Sequence, residues 1–395
     1  MPDNYRNLDG GMAYTLEKEK ARRKKSMIIV LCSIFVLLAL VGGGVTAWYF
    51  LSQRKGSGSS GGTGSSPGSD KSGDVNIGSD PSNFKKDPRL LKSFYGLAYT
   101  PEGALMPNCG AKLENVIKDI QLMSQLTNRI RLYGADCNQT ALVLEAIKQT
   151  KVDMQVYLGN YITPDDNSVY QRQRDAIQQA LQTYGADHVA GITVGNEFML
   201  NYLTNHDAKD PESTVGQQGA AILKADIDDT RKMVESLQLS KTIQVGNSDA
   251  GSFFSKEVLQ DVDYGMSNVH AWFANTTAEA AAPWVFKFFD ETNVQPASQL
   301  PNKPKMYIAE TGWPTKSSDA GNANNGGSDA SVANLQVFLD NFVCQANQNG
   351  VGYFFFEFCD EKWKDDLYGG VEGWWGLFNG DRTLKDLQIP DCPPP

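Results

Sequence analysis

Two glutamates at the ends of apolar, strand-like runs are the residues of this 395-residue chain best suited to chemistry. Glu197 lies in TVGNEF (193–198) and Glu310 in YIAETGWPT (307–315). Two carboxyl groups that flank a sugar bond, one protonated and one ionised, can cleave it, and a separation of roughly 5 Å suits the retaining mechanism. Partial burial and a neighbouring carboxylate would both raise the pKa of the acid. The pair therefore predicts a glycosidase site.

Each glutamate taken alone has a structural alternative. An ion pair with a barrel arginine such as Arg129 or Arg131 would explain one isolated carboxylate. Two glutamates, each at a strand end and followed by Gly, Trp or Phe, favour catalysis instead. The chain has three histidines and neither an H-E-x-x-H nor an H-x-H motif, which disfavours a catalytic zinc site. We expect no metal and no cofactor, and we interpret His270 as a hydrogen-bonded barrel residue rather than a base.

Eight β-rich runs alternate with amphipathic helical patterns from about residue 87 to the end of the chain. The runs are FYGLAY (94–99), RIRLYG (129–134), MQVYLG (154–159), GITVGNE (191–197), IQVGNS (243–248), NVHAWF (268–273), MYIAETG (306–312) and YFFFEFC (353–359). Eight alternating units in about 300 residues predict an α/β fold of the (β/α)8 TIM-barrel type. A doubly wound open sheet is the alternative, because alternation alone does not show that a sheet closes. In a barrel, catalytic groups lie at the carboxyl ends of the strands, where both glutamates fall.

The residues before the barrel predict a membrane anchor and a linker. Met27 to Leu51 is a stretch of 25 uncharged residues, longer than the apolar core of a cleaved signal peptide and sufficient to cross a bilayer. Four basic residues precede it at 22–25, which places the N-terminal side in the cytoplasm. The predicted organisation is a cytoplasmic tail (1–26), a signal-anchor transmembrane helix (27–51), a Gly/Ser-rich linker (52–86) and an extracellular domain (87–395).

Charge and cysteine usage agree with export. Residues 1–55 carry nine basic and four acidic side chains, whereas the remainder carries 27 basic and 42 acidic ones, so nucleic acid is an unfavourable partner. Cys32 falls in the predicted anchor, which leaves five cysteines for at most two disulfides. Asn138 and Asn275 begin glycosylation sequons.

The glutamate motifs resemble those of glycoside hydrolase family 17, the β-1,3-glucan-active barrels of fungi and plants. TVGNEF and IAETGWPT carry the resemblance, and FYGLAYTP, RLYGADC and FEFCDEKWK with GGVEGWWGLF are similar to the fungal branch. The resemblance covers Leu91 to Cys392. It implies that Glu197 is the acid/base, that Glu310 is the nucleophile, and that Asn196 hydrogen-bonds the 2-hydroxyl of the sugar being cleaved.

Further site residues follow from the resemblance and from the needs of sugar binding. Glu361 and Lys364 align with a Glu and a Lys near the family's active site, and we interpret them as a substrate-contacting ion pair; an exposed pair of little energetic weight is the alternative. Sugar subsites use aromatic faces, and the candidates at strand ends and in the last loop are Tyr95, Tyr133, Trp272, Trp313 and either Trp374 or Trp375.

The resemblance also bears on the cysteines. Cys359 stands where the family leads us to expect another residue, so it is the predicted free thiol. Cys109–Cys137 would then link the loops after the first two strands. Cys344–Cys392 would join the final segment to the last long helix.

The sequence thus predicts a retaining endo-β-1,3-glucosidase that remodels cell-wall glucan through a covalent glycosyl-enzyme. Its partners would be β-1,3-glucan and, through one helix, the lipid bilayer of the plasma membrane, with the catalytic domain outside. A β-1,3-glucanosyltransferase that elongates or branches glucan is the first alternative. A non-catalytic protein that binds wall glucan is the second.

Overall fold

Short runs rich in Val, Ile, Tyr and Phe form the eight parallel strands of a closed barrel in this computed structural model, which describes residues 80–393. The strands are β1 (Gly96–Ala98), β2 (Arg129–Arg131), β3 (Gln155–Asn160), β4 (Val189–Asn196), β5 (Gln244–Ala250), β6 (Tyr264–Asn268), β7 (Lys305–Thr311) and β8 (Tyr353–Phe355). Because β1 pairs with both β2 and β8, the sheet has no free edge. The predicted TIM barrel is confirmed, and the open sheet is excluded.

Helices surround the barrel between the strands. They are α1 (Leu113–Met123), α2 (Gln139–Thr150), α3 (Asn167–Tyr184), α4 (Phe198–Asn205), α5 (Thr214–Ser236), α6 (Lys256–Gln260), α7 (Ala278–Phe289), α8 (Gln295–Ser298), α9 (Val332–Gln348) and α10 (Lys362–Tyr368). Four of them begin at a side chain that accepts a hydrogen bond from a first-turn amide, namely α3, α5, α7 and α9, at Asp166, Ser213, Thr277 and Ser331. Such caps satisfy amides that have no partner within the helix.

Shorter elements complete the described chain. The 3₁₀ turns are Asp136–Asn138, Ala271–Ala274 and Ala320–Asn322, a π turn spans Asp290–Val294, and a small antiparallel hairpin pairs Asn324–Asn325 with Ser328–Asp329.

The predicted position of the sixth strand is wrong. The run NVHAWF (268–273) contributes only its first residue to β6 and then forms the 3₁₀ turn Ala271–Ala274. The strand itself is YGMSN, whose glycine and serine give a weak local β signal. It forms because β5 and β7 pair with it on both sides, so the tertiary sheet overrides local preference.

The structure describes the chain from Asp80, seven residues before the predicted start of the domain. The Asp80 carboxylate lies 3.3 Å from Lys151 Nζ, and Gln121 donates a hydrogen bond to the Pro81 carbonyl. The predicted tail, anchor and residues 52–79 of the linker lie outside the described residues. Within residues 80–393, no helix is long and apolar enough to cross a membrane.

Aromatic rings fill the interior of the barrel below the ends of the strands. Tyr157 packs edge-to-face on Tyr264 and Phe354, with ring centroids 5.4 and 5.3 Å apart. The Tyr264 hydroxyl is 2.9 Å from Thr193 Oγ1, so its polar tip is satisfied inside the core. This floor of close-packed rings supports the strand ends above it.

Both predicted disulfides are present. Cys109 pairs with Cys137, and Cys344 pairs with Cys392. Among the cysteines of residues 80–393, Cys359 is the free thiol, as predicted.

Replacement of Gly246 by alanine is expected to destabilise the barrel. A methyl group at this position would meet the ring of the fully buried Tyr264 at 2.2 Å, and the close-packed floor leaves the ring no space to retreat. Gly246→Ala should lower the free energy of unfolding by about 1–3 kcal/mol, the usual cost of overpacking. Urea unfolding followed by tryptophan fluorescence measures it. Gly110→Ala, whose added methyl comes no closer than 4.0 Å to any atom, is the matched control and should change stability little.

Candidate active site

A sharp turn at the end of β4 presents the first glutamate. Gly195 has a φ of 84° and Glu197 a φ of 55°, so the chain enters the left-handed region twice around Asn196. A non-glycine residue with positive φ is uncommon and often marks a functional site. The Glu197 amide donates to the Ser248 carbonyl at 3.1 Å, and its carbonyl accepts from Asn201 Nδ2 at 2.7 Å. The backbone of Glu197 is therefore held from both sides.

A buried carboxylate behind this turn fixes the helix that follows. Asp249, on β5, accepts hydrogen bonds from the amides of Met199 and Leu200 at 2.8 and 3.3 Å, in the first turn of α4. Burial raises the pKa of Asp249 well above its usual range, and the charge of Glu197 adds to this. Asp249 thus acts as a cap for α4 from a neighbouring strand, a role that sequence reasoning missed.

The second glutamate lies in a network centred on Arg131. One guanidinium nitrogen of Arg131 donates to Glu310 Oε1 at 2.9 Å. The other donates to Asn196 Oδ1 at 2.6 Å and to Ser248 Oγ at 2.8 Å. His270 Nε2 lies 3.1 Å from the remaining oxygen, Oε2, of Glu310. Both carboxylate oxygens of Glu310 are therefore engaged, and β2 is tied to β4, β5 and β7.

Asn268 connects the two glutamates through the ends of β4 and β6. Its Nδ2 donates to Glu197 Oε1 at 3.0 Å and lies 3.4 Å from Asn196 Oδ1. The register of the sheet pairs Asn196 with Ser248 and Asn268 with Glu310, so the carboxyl ends of β4 to β7 lie next to one another around the mouth. The structure thus brings together Glu197, Glu310 and Asn196 at the carboxyl mouth of the barrel.

The surroundings set the two glutamates in opposite protonation states. Burial raises the pKa of Glu197 to about 7, and the negative charge of Glu310 contributes to the shift. Burial acts on Glu310 in the same direction, but the His270 hydrogen bond and the Arg131 charge outweigh it and lower the pKa to about 2. Between these values Glu197 is protonated while Glu310 is ionised, the arrangement that general acid and nucleophile require.

The predicted Glu361–Lys364 pair is present, but it is nearly buried and contains a third member. Lys364 Nζ lies 2.7 Å from Glu361 Oε2 and 2.6 Å from Glu357 Oε2. The side chains of Glu361 and Lys364 are only 10% and 13% exposed, so the alternative of an exposed pair is wrong. Glu357 was not among the predicted residues.

Two aromatic residues adjoin the network. The Arg131 guanidinium lies over the Tyr133 ring, 4.3 Å from its centroid. Burial raises the pKa of Tyr133, and the charge of Glu310 adds to the effect. The Trp375 ring lies 5.0 Å from the His270 ring. Of the two tryptophans considered in the last loop, Trp375 therefore contacts the network, whereas the Trp374 ring contacts Lys316 Nζ at 3.5 Å.

Three predicted sugar platforms are wrong. Tyr95 precedes β1, at the amino end of the barrel, and packs on Tyr307 and Phe354 with ring centroids 6.0 Å apart. Trp272 and Trp313 pack edge-to-face at 5.6 Å, and both are buried. A ring that is enclosed by other side chains offers no face to a sugar. The sequence places these residues near strand ends but does not show which way they point.

Several buried polar atoms around the mouth have no hydrogen-bond partner within the described part of the chain. They include Asn268 Oδ1, His270 Nδ1, Glu357 Oε1 and Trp375 Nε1. A buried polar group without a partner costs about 1–3 kcal/mol, so such groups are rarely left together without a reason. Their mixture of donors and acceptors suits a ligand rich in hydroxyl groups. In residues 80–393, no cluster of His, Cys, Asp or Glu is arranged to hold a metal ion.

Sequence reasoning missed several contributors because their signals were local and weak. Arg131 was considered only as a structural partner of a glutamate, and it does pair with Glu310 while also contacting Asn196. Asn268 and His270 stand in the run NVHAWF, whose polar members were the available signal. The sequons remain predictions: Asn138 and Asn275 are both exposed, and the Asn275 side chain accepts a hydrogen bond from the Gly327 amide.

Comparison with known proteins agrees with this geometry. The sequence profile of the BtgE/BtgC glycoside hydrolase domain matches residues 96–376. The probable glucan endo-1,3-β-glucosidase btgC of Aspergillus flavus is 34% identical over 344 residues, which cover 83% of this chain and 48% of that protein. The glucan endo-1,3-β-glucosidase btgC of Emericella nidulans is 34% identical over 320 residues, or 77% and 47% of the two chains. The chain therefore spans about half the length of the curated relatives it matches.

Solved structures show the same architecture. The glycoside hydrolase family 17 β-1,3-glucanosyltransferase from Rhizomucor miehei has a TM-score of 0.59 and 25% identity, with coverage of 75% of this chain and 97% of that one. An endo-laminarinase from Formosa has a TM-score of 0.62 at 18% identity, with coverage of 75% and 86%. The latter likeness concerns the fold alone.

Replacement of Arg131 by methionine is expected to remove the hydrogen bonds to Glu310, Asn196 and Ser248 and to destabilise the protein. The substitution keeps the volume but leaves a buried carboxylate without its cation, so the free energy of unfolding should fall by about 3–5 kcal/mol. Urea unfolding measures the change. Arg129→Met is the matched control: Arg129 lies on the same strand, contacts the Tyr95 ring at 4.3 Å and is partly exposed, so its loss should cost about 1 kcal/mol or less. Equal losses for the two variants would contradict the central role of Arg131.

Proposed function

Because the chain belongs to the BtgE/BtgC glycoside hydrolase family, we propose that its barrel cleaves internal β-1,3-glucosidic bonds of cell-wall glucan with retention of configuration. The observation that carries the proposal is the split between Glu197 and Glu310, two carboxyl groups at one barrel mouth with pKa values of about 7 and 2. Retaining glycosidases use such a pair as acid/base and nucleophile. The names of the btgC relatives support β-1,3-glucan as the substrate.

In the first step, a carboxylate oxygen of Glu310 attacks the anomeric carbon of the bound glucosyl unit. A bond forms between that oxygen and the carbon, the bond to the bridging oxygen breaks, and Glu197 gives its proton to the departing glucan. Arg131 and His270 serve this step because they keep Glu310 ionised and fix its orientation. Asn196, held by Arg131, would contact the 2-hydroxyl of the same sugar.

In the second step, Glu197 acts as a base. It takes a proton from an incoming hydroxyl group, whose oxygen attacks the anomeric carbon and releases Glu310. If water supplies that hydroxyl, the reaction is hydrolysis. If another glucan chain supplies it, the reaction is glucanosyl transfer, which is the activity named for the Rhizomucor miehei neighbour at 25% identity. We propose hydrolysis with transfer as the alternative.

A role limited to binding is disfavoured. A binding cleft needs polar and aromatic contacts, but it has no need of one protonated and one ionised carboxyl group at the same mouth. Removing two carboxyl groups from water is costly, and oppositely shifted pKa values of this kind are typical of catalytic sites.

The proposed setting is the outer face of a fungal plasma membrane. The uncharged stretch 27–51 supports a type II anchor with the tail inside, and two disulfides support an oxidising compartment on the barrel's side. The relatives from Aspergillus and Emericella support a fungal cell wall as the substrate's source. A linker of about 35 residues, as in 52–86, would keep the barrel within reach of newly made glucan.

Incubation of the full chain, in detergent, with a linear β-1,3-linked glucohexaose tests the activity directly. Mass spectrometry should detect shorter products if water is the acceptor, and products longer than the hexaose if transfer occurs. Glu310→Gln should lower the rate by about three orders of magnitude or more, since it removes the nucleophile. Glu279→Gln, at an exposed residue in the first turn of α7, is the control and should leave the rate unchanged. A wild-type chain that leaves every β-1,3-glucan intact would refute the proposal.

The rate should depend on pH in a way that the two glutamates set. Catalysis needs Glu310 ionised, which holds above about 2, and Glu197 protonated, which holds below about 7. We expect kcat/KM to be nearly constant inside this window and to fall about tenfold per pH unit above 7. Initial rates across the pH range measure it. In Glu197→Gln the residual rate should lose the decline near pH 7; persistence of the decline would assign it to another group.

A further inference from the structure

Glu357 is a nearly buried carboxyl group with one unused oxygen, next to the catalytic network. It follows β8 and is 1% exposed. Its Oε2 accepts a hydrogen bond from Lys364 Nζ at 2.6 Å, while its Oε1 is buried without a partner among the described residues. The Glu357 amide donates to the Trp375 carbonyl at 3.1 Å, so the backbone on which the carboxyl stands is fixed.

The surroundings of Glu357 belong to the mouth of the barrel. The preceding residue, Phe356, lies with its ring centroid 5.3 Å from His270 and 5.6 Å from Trp375. Lys364 Nζ is 4.5 Å from the Phe356 ring, so the ammonium group bridges the aromatic wall and the Glu357 carboxylate. The charge of Glu310 raises the pKa of Glu357, and the charge of Glu357 adds to the raised pKa of Tyr133. Glu357 is therefore within electrostatic reach of the proposed nucleophile.

A purely structural ion pair is a poor description of this cluster. Two carboxylates, Glu357 and Glu361, share the single ammonium of Lys364. The neighbouring pair Asp360–Lys385 differs: Asp360 Oδ1 receives Lys385 Nζ at 2.7 Å and the Gly376 amide at 3.0 Å, and no buried oxygen of Asp360 is left without a partner. Two neighbouring buried ion pairs thus differ: one is satisfied, and the other includes a carboxyl oxygen without a partner among the described residues.

The position of Glu357 in the barrel indicates which side of the cleaved bond it would contact in a bound glucan. β8 pairs with β7, which carries Glu310, whereas the acid Glu197 ends β4 on the opposite arc of the barrel. In the proposed reaction the sugar retained on Glu310 is the donor side of the cleaved bond, and the departing part leaves from the oxygen that Glu197 protonates. A group beside Glu310 on β8 therefore faces the donor side.

We propose that Glu357 is a specificity-determining residue whose Oε1 hydrogen-bonds one hydroxyl group of a donor-side glucosyl unit, with Lys364 holding the carboxyl in place. This inference rests on the function proposed above. Sites that are built to bond a substrate hydroxyl reject analogues that lack it, because a buried polar group is then left unpaired. Glu357 would thus recognise an unsubstituted glucan at that hydroxyl.

Binding measurements on an inactive background separate this role from catalysis. The full chain carrying Glu310→Gln is titrated in detergent, by calorimetry, with β-1,3-linked glucotriose and with its analogues that each lack one hydroxyl. Adding Glu357→Gln should weaken binding of the triose about tenfold, because the substitution removes the carboxyl group that Lys364 holds and that would accept from the hydroxyl. One deoxy analogue should bind the Glu310→Gln chain more weakly than the triose does, yet lose no further affinity when Glu357→Gln is added.

For that analogue, the losses of affinity caused by the missing hydroxyl and by Glu357→Gln would not add. A merely structural role of Glu357 would weaken binding of every analogue by the same factor. Asp360→Asn on the same background is the matched control, since it disturbs a neighbouring buried ion pair, and it should change affinity less than twofold. If thermal denaturation shows that Glu357→Gln does not fold, Glu357→Asp is used instead. It keeps a carboxyl group for Lys364 but shortens the side chain by one methylene. Its loss of affinity should likewise fail to add to the loss caused by the same missing hydroxyl.

The outcomes distinguish the two proposals. If the Glu310→Gln chain binds triose and the Glu357 variants bind it equally well, or if the deoxy losses add for every analogue, the role of Glu357 is refuted while the proposed function stands. If the Glu310→Gln chain binds no β-1,3-glucan of any length, and the wild-type chain cleaves none, both are refuted.

Discussion

A single buried guanidinium group, that of Arg131, connects the polar side chains at the mouth of this barrel. Arg131 lies on β2, yet it contacts a carboxylate on β7, an amide on β4 and a hydroxyl on β5. A buried charge is tolerated only when its partners are fixed, so the position of Arg131 requires the carboxyl ends of β4, β5 and β7 to meet around it. The closed barrel meets that requirement, with the aromatic floor packed beneath.

The same group creates the difference between Glu197 and Glu310. Glu310 is buried and Glu197 is partly buried, which by itself favours the protonated form of each. Arg131 and His270 reverse this at Glu310, and the resulting negative charge then adds to the effect of burial at Glu197. Two residues of one type thus acquire different pKa values from their neighbours alone, and removing either neighbour of Glu310 would reduce the difference.

Different strands of the barrel contribute different side chains to the site. Glu197 follows β4 and Glu310 lies on β7, and these are the carboxyl groups proposed to react. Side chains of β2 and β6 contact them, and the loop after β8 adds a cluster around Lys364 that includes an unpartnered carboxyl oxygen. The floor below is apolar and rigid, whereas the mouth is polar and not fully satisfied. Stability and recognition are therefore separated along the barrel axis, as the fold permits in many enzymes.

The sequence by itself determined the alternation of eight strands with helices, the two strand-end glutamates and, through the family resemblance, the cysteine pairing. These features can be recognised from the sequence because each depends on residues that are close together in the chain. Only the tertiary structure decided the rest. Arg131 and Glu310 are 179 residues apart, and no periodicity reports that they touch. Register and closure place Asn268 beside Glu197, and the direction of each side chain excludes Tyr95, Trp272 and Trp313 from the cleft. Contacts of this kind depend on how distant strands align, because that alignment is a property of the whole closed sheet.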